Sequence, residues 1–319
     1  MKKTILCFSI LMSCLSLHAQ KKPMNEFVDE LMAKMTVEEK IGQLNLMPGT
    51  DLTTGAKTNS PLVELVEKGM LGAVLNTKGA AKVRALQEVA VKKSRLHIPL
   101  IFGLDVIHGY ETVLPLPLAQ ACSWNPQAIE DGARMAAEEA TASGICWNYS
   151  PMVDVALDAR WGRVAEGYGE DPYLSSVMAA AAIRGYQGDN NNRLGIYNVA
   201  TSVKHYFAYG APFTGKDRTP AYVSPQMLRE KYFEPFRAAI RAGALTVMVN
   251  SSSINGMPVH ASWEYLTKWL KQDLNWDGMI ITDWADINNL YTREKVAKDK
   301  KDAIRLAINA GVDMSMDPY

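Results

Sequence analysis

The sequence predicts an α/β protein folded as a (β/α)8 TIM-like barrel. Three observations carry that reading. Short runs rich in Val and Ile alternate with longer amphipathic stretches. The short runs are apolar on successive residues, as strands covered on both faces must be. Neither GxGxxG nor GxxxxGK[ST], one of which would normally follow the first strand of an open doubly wound sheet, occurs in the 319 residues.

The expected strands are 72–75, 99–104, 144–147, 199–203, 245–249, 279–282 and 312–316. Between them fall helical patterns at 81–93, 126–143, 172–187, 225–242, 262–272 and 297–310. Three helices carry an oxygen-bearing cap before a proline: Asn125 before Pro126, Asp171 before Pro172, and Ser224 before Pro225. Such a cap satisfies an orphan amide, and proline is pre-set for the first helical position. Strand–helix units at this spacing imply right-handed crossovers and a parallel sheet.

The N-terminus has its own layout. Lys2 and Lys3 precede an apolar stretch from Ile5 to Leu17, and Leu17-His18-Ala19 follows. Residues 1–19 are expected to be a secretory signal cleaved after Ala19, which places the protein outside the cytoplasm, in the periplasm. Leu11-Met12-Ser13-Cys14 leaves lipoprotein anchoring at Cys14 as a variant. Residues 20–319 then form one barrel domain. It is expected to be incomplete at its C-terminus, because no helix follows the last apolar run to cover it, and following domains are expected to be missing.

Composition narrows the function classes. With 48% hydrophobic and 21% charged residues, the chain is ordinary globular protein. Thirty-four basic residues balance 34 acidic ones, so neither a strongly basic nucleic-acid binder nor an acidic solvating tail is expected. No membrane span is expected beyond the signal. Cys122 and Cys146 make no scaffold or CxxC motif and are read as buried core cysteines.

Polar residues recur where the strands end: Asp105 and His108, Asn148, Lys204 and His205, Asn250 and Ser251, then Asp283. In a barrel those ends form the active-site rim. Asp283, with Trp284 beside it, would meet developing positive charge at an anomeric carbon while the indole covers a pyranose face. The plainer alternative is that Asp283 caps the following turn. Asp286 competes for the acidic role but suits a turn or cap. Lys204 and His205 can donate to vicinal hydroxyls, and Lys204 can keep a neighbouring carboxylate ionised. Asp105 can grip two hydroxyls. The loop DARWGRVAEGYGEDPYL is dense in charges that hold its own shape, and Arg163 is the one expected to reach the site.

GLDVIHG, RWGR..EGYGEDPYL, VKHYFAYG, VMVNSSSING and GMIITDW stand in the order and spacing of the family 3 glycoside hydrolases, and the chain most resembles their β-glucosidase branch. The resemblance implies a catalytic nucleophile at Asp283. It also implies sugar binding by Asp105, Arg163, Lys204 and His205, with Trp284 in the aglycone clamp, and an exo-acting retaining β-glucosidase acting on terminal β-D-glucosyl residues of β-linked gluco-oligosaccharides. Family members often carry a tyrosine that hydrogen-bonds the nucleophile where this chain has Ser251, which is too short to do so without water. In this branch the general acid/base is a glutamate on a following domain. The β-N-acetylglucosaminidase branch uses a His/Asp dyad after the KH motif. The segment KHYFAYGAPFTGKDRTP has no such histidine.

Other readings remain. They are a β-xylosidase, a saccharide-binding fragment without turnover, and a metal-dependent hydrolase built on His97, His108, His205 and His260. No metal or other cofactor is expected, since the histidines lack HxH or HExxH spacing and Lys204 would repel a cation. Oligomeric state is not legible.

Overall fold

The computed structural model describes residues 23–49, 62–189 and 194–318. The expected signal and Cys14 lie outside the described residues. The chain divides into two compact units, Met1–Thr36 and Val37–Tyr319. The described part of the first contains one helix, Met24–Lys34.

The second unit holds the barrel. Its strands are β1 (Asn45–Pro48), β2 (Ala73–Leu75), β3 (Ile101–Leu104), β4 (Trp147–Asn148), β5 (Ala200–Tyr206), β6 (Thr246–Val249), β9 (Met279–Ile281) and β10 (Ser315–Met316). They form one eight-stranded parallel sheet in the order β10-β1-β2-β3-β4-β5-β6-β9. A bridge between Ile281 and Met314 brings its two ends together. A short antiparallel hairpin, β7 (Ser253–Ile254) and β8 (Met257–Pro258), follows β6.

Each of the seven expected strands is present, and the sequence reading missed β1. Four residues that include Asn45 and Pro48 give no β-branched run to detect, yet all four are buried. Alternation along the strands sorts side chains into two compartments. Leu46, Ala73, Leu75, Trp147, Tyr149, Met248, Ile281, Met314 and Met316 pack inside the barrel. Met47, Val74, Phe102, Val203, Val247 and Ile280 face outward into the larger core under the helices. Gly103 is required at its position. A Cβ there would lie 2.0 Å from the Tyr149 hydroxyl, which crosses the interior at that level.

The caps act as the sequence indicates. Asn125 accepts from the Ala128 amide at 3.2 Å, Asp171 from Leu174 at 2.8 Å and Ser224 from Met227 at 3.3 Å, each ahead of proline. Two stretches depart from regular helix: Leu228–Tyr232 and Glu264–Gln272 are π-helical. The wider turns accompany a cluster of large rings, where Phe233, Tyr265 and Trp269 pack on Phe207 and Arg229 stacks over Trp269 at 3.8 Å. Short helices at Pro117–Ala121 and Asp286–Thr292 were also not expected.

The cysteine reading is corrected. Cys122 and Cys146 are both exposed. Cys122 falls at the C-terminal cap of Pro117–Ala121, and Cys146 stands just before β4, at the N-terminal end of that strand. No helix among the described residues is long and apolar enough to cross a membrane.

Candidate active site

The C-terminal ends of the strands surround a cavity of about 460 Å³. Leu75, Ile107, Met248 and Met316 give it apolar walls, and Tyr149 lines it from within the barrel. Six of the seven residues singled out from the sequence line it together: Asp105, Arg163, Lys204, His205, Asp283 and Trp284.

Asp105 follows β3, and the loop behind it is clamped. Asn148 at the end of β4 accepts from the Val106 amide and donates to the Val106 carbonyl, both at 2.9 Å. Asp105 Oδ1 accepts from Lys204 Nζ, in an ion pair whose lysine side chain is only 4% exposed. Lys204 therefore serves Asp105, not the carboxylate at 283.

Lys204 and His205 both reach the cavity because the β5–β6 register shifts between Val203 and Tyr206. Without such a bulge, successive residues of a strand would face opposite ways. The chain after β4 pairs alongside: Lys204 N–H donates to Pro151 O at 3.1 Å, and Val153 N–H to Lys204 O at 2.8 Å. That pairing brings Asp154 beside His205. Asp154 Oδ2 accepts from the His205 amide at 2.9 Å and lies 3.0 Å from ring Nδ1. Burial pushes the Asp154 carboxyl up to about 8. Burial also holds the His205 imidazole well below its ordinary range, helped by Arg163, Lys204 and Arg218. The ring is thus a neutral donor–acceptor held in one orientation.

Arg163 is gripped by Glu166 through two hydrogen bonds of 2.8 Å, and its guanidinium lies 5.7 Å from the Tyr209 ring centre. Glu166 lines the cavity as well, which the sequence reading did not anticipate. Elsewhere in that loop Arg160 pairs with Asp158, and the Trp161 indole donates to Asp217, in the segment after β5, at 2.8 Å.

Asp283 sits one residue beyond Thr282 at the end of β9 and is 8% exposed. Its Oδ1 accepts from the Trp284 amide at 2.6 Å. Its Oδ2 is buried with no hydrogen-bond donor. Burial and the nearby Asp286 carboxylate raise its pKa, while Arg218, the Trp284 amide and Arg163 oppose the rise. Trp284 lines the mouth and packs on the barrel interior.

Ser251 is not part of the cavity wall. Its hydroxyl donates to Asp286 Oδ2 and accepts from Arg218 Nη1. Asp286 is fully enclosed and also takes the Asn289 amide at 2.8 Å and Arg293 at 3.4 Å. It opens the helix Asp286–Thr292 as an anchor inside the first turn, not as its cap, which is Ala285. His108 and Asn250 are structural too. His108 Nδ1 contacts Leu114 O at 3.2 Å, and Asn250 ties Phe207 O to the Ser252 amide. Asp217 and Arg218, from the KDR stretch after β5, were overlooked and line the cavity. The described residues hold no cluster of three His, Cys, Asp or Glu disposed to bind a metal ion.

Residues 36–319 match the Glycosyl hydrolase family 3 N terminal domain. The chain is 40% identical over 92% of its length to a periplasmic beta-glucosidase of Salmonella typhimurium, covering 38% of that protein. It is 36% identical over 92% of its length to a lysosomal beta glucosidase of Dictyostelium discoideum, covering 39% of it. The crystal structure of a beta-glucosidase from Listeria innocua in complex with isofagomine superposes with a TM-score of 0.83 at 36% identity, over 91% of this chain and 41% of that one. The chain thus spans about two fifths of the length of the relatives it matches.

Proposed function

Because the chain belongs to glycosyl hydrolase family 3, whose N-terminal domain it matches over residues 36–319, we propose that it forms the glycone-binding and nucleophile-bearing part of an exo-acting retaining β-glucosidase. Asp283 attacks the anomeric carbon of a terminal β-D-glucosyl residue. One observation carries the reading: a buried carboxylate oxygen on the cavity wall, Asp283 Oδ2, has no hydrogen-bond donor and lies 3.7 Å from the Arg218 guanidinium. An oxygen so placed keeps its electron pair for a reacting carbon.

Around it, Lys204 and His205 present donors and Asp105 an acceptor, a set suited to vicinal hydroxyls of a hexose. Arg163 reaches the same ring, and Trp284 covers the aglycone side. Asp105, which can reach the outer hydroxyl that a pentose lacks, favours glucose over xylose. Retention requires a second carboxyl about 5 Å from the first to protonate the leaving oxygen. The other cavity carboxylates are engaged: Asp105 by Lys204, Glu166 by Arg163, and Asp217 by the Trp161 indole. In keeping with the resemblance to the β-glucosidase branch, the acid/base role falls to a glutamate outside residues 1–319. Leu17-His18-Ala19 together with the periplasmic relative supports export.

The test is covalent trapping. Exposed to 2,4-dinitrophenyl 2-deoxy-2-fluoro-β-D-glucoside, whose leaving group needs no protonation, the protein should release dinitrophenolate in a burst and carry the sugar on Asp283 by peptide mass spectrometry. A sugar adduct on another residue, or no adduct, sinks the assignment.

A further inference from the structure

We propose that Arg218 is a positioning residue for this reaction, fixing the charge opposite Asp283 and being itself fixed by Ser251 and Asp286. The proposal rests on the reading of Asp283 as nucleophile and goes beyond it, because it gives the cavity-lining Arg218 a role outside the sugar-binding set of Asp105, Arg163, Lys204 and His205.

The geometry has three parts. Arg218 Nη2 lies 3.7 Å from Asp283 Oδ2, close enough for strong attraction but too far for a hydrogen bond. The guanidinium can therefore favour the carboxylate without occupying the electron pair that must attack. The fork is then anchored on its far side: Nη1 donates to Ser251 Oγ, and the serine proton goes to Asp286 Oδ2. Finally, Asp286 is itself immobile, enclosed in the first turn of Asp286–Thr292 and tied to Asn289 and Arg293. Asp217 Oδ2, 3.8 Å from Arg218 Nε, flanks the stem.

The charges facing Asp283 come from every side of the site, and they do not cancel without Arg218. Asp286, on the following helix, repels it. Arg163, on the loop after β4, attracts it but is committed to Glu166 by two hydrogen bonds. Tyr209, from the turn after β5, and His260, from the turn Val259–Ala261, also face it, and burial holds both neutral. Lys204 is committed to Asp105. Arg218 is the cation positioned on the unpaired oxygen. A lysine could supply the charge but not the fork that serves Ser251 at the same time.

The experiment follows the Asp283 carboxyl directly. Protein labelled with 13Cγ-aspartate is titrated by NMR, with the Asp283 signal assigned by its loss in Asp283→Asn. In Arg218→Met and in Arg218→Gln, the second keeping a donor for Ser251, the midpoint should rise by about one pH unit or more. Arg218→Lys should fall between wild type and Arg218→Met, and Ser251→Ala should shift in the same direction by less. The acidic limb of dinitrophenolate release should move with the midpoint. An unchanged midpoint in folded Arg218→Gln or Arg218→Met overturns the proposal, even if turnover falls. An absent adduct on wild-type Asp283 would instead remove the nucleophile reading, while the titration still decides whether Arg218 sets the charge at 283.

Discussion

The cavity has two acidic walls built on opposite plans. On the β3–β5 side Asp105 is joined to Lys204, and Asp154, behind the wall, is joined to His205 through Oδ2 while its Oδ1 makes no hydrogen bond. On the β9 side Asp283 has one hydrogen bond, from the amide of its neighbour, with the Arg218 guanidinium 3.7 Å away and Asp286 close enough to repel it. Stability alone would favour the first plan everywhere, because a buried charge without a hydrogen-bonded partner is costly. The second persists where a group is kept unsatisfied for use. The paired wall reads as a binding surface and the unpaired one as the reactive one.

The sharpest way to break this contrast is Asp283→Asn. On the proposed reading it lowers trapping by the fluorosugar at least about a thousandfold, while the urea midpoint rises because a repelled buried charge is gone. Loss of stability together with retained trapping would mean the two walls are alike. Lys204→Met should act in the reverse sense on stability. It removes the Asp105 ion pair and costs about 2 kcal/mol, below the range for a fully buried pair because Asp105 keeps 20% of its side-chain surface in solvent. Glucose should then no longer shift the unfolding curve.

The Asp154–His205 pair sharpens the comparison through pH. The folded Asp154 carboxyl keeps its proton to about 8, whereas the unfolded one releases it near 3.8. The folded state therefore binds more protons between those values, and stability falls as pH rises through that window. Denaturation midpoints at several pH values should show the slope, and Asp154→Asn, which preserves an acceptor for His205, should flatten it. The last effect concerns a residue with no charge. Gly103→Ala drives a Cβ against the Tyr149 hydroxyl. It should cost about 1–3 kcal/mol and weaken sugar binding, since Tyr149 lines the cavity.

How much of this was legible depends on range. Strand ends were readable because doubly covered strands leave continuous apolar runs, and the first polar residue after each run marks the rim. That rule found Asp105, Lys204, His205 and Asp283. It could not separate rim residues that face the cavity from those that clamp backbone: Asn148 and Asn250 follow their strands in the same way yet tie down Val106 and Phe207. Arg218 was illegible for another reason. Its partner is 65 positions later in the chain, and only the return of the loop after β5 over the barrel mouth brings the two together. Cys122 and Cys146 failed because residue type says where a side chain usually goes, and the local chain decided otherwise. The π-helical turns, Leu228–Tyr232 and Glu264–Gln272, lie inside stretches that read simply as helix, so the wider turn left no separate signal.

One seam bears on how such a protein would be tuned. The strand that ends at Asp283 is laced to β6 by a full ladder, but to the last strand by a single bridge and a few bonds around Thr282, Met314 and Met316. Laboratory evolution of reactivity need not touch a single sugar-facing group. A library confined to Thr282 and Met314, neither of which lines the cavity, would move the Asp283 carboxylate while leaving the far wall intact.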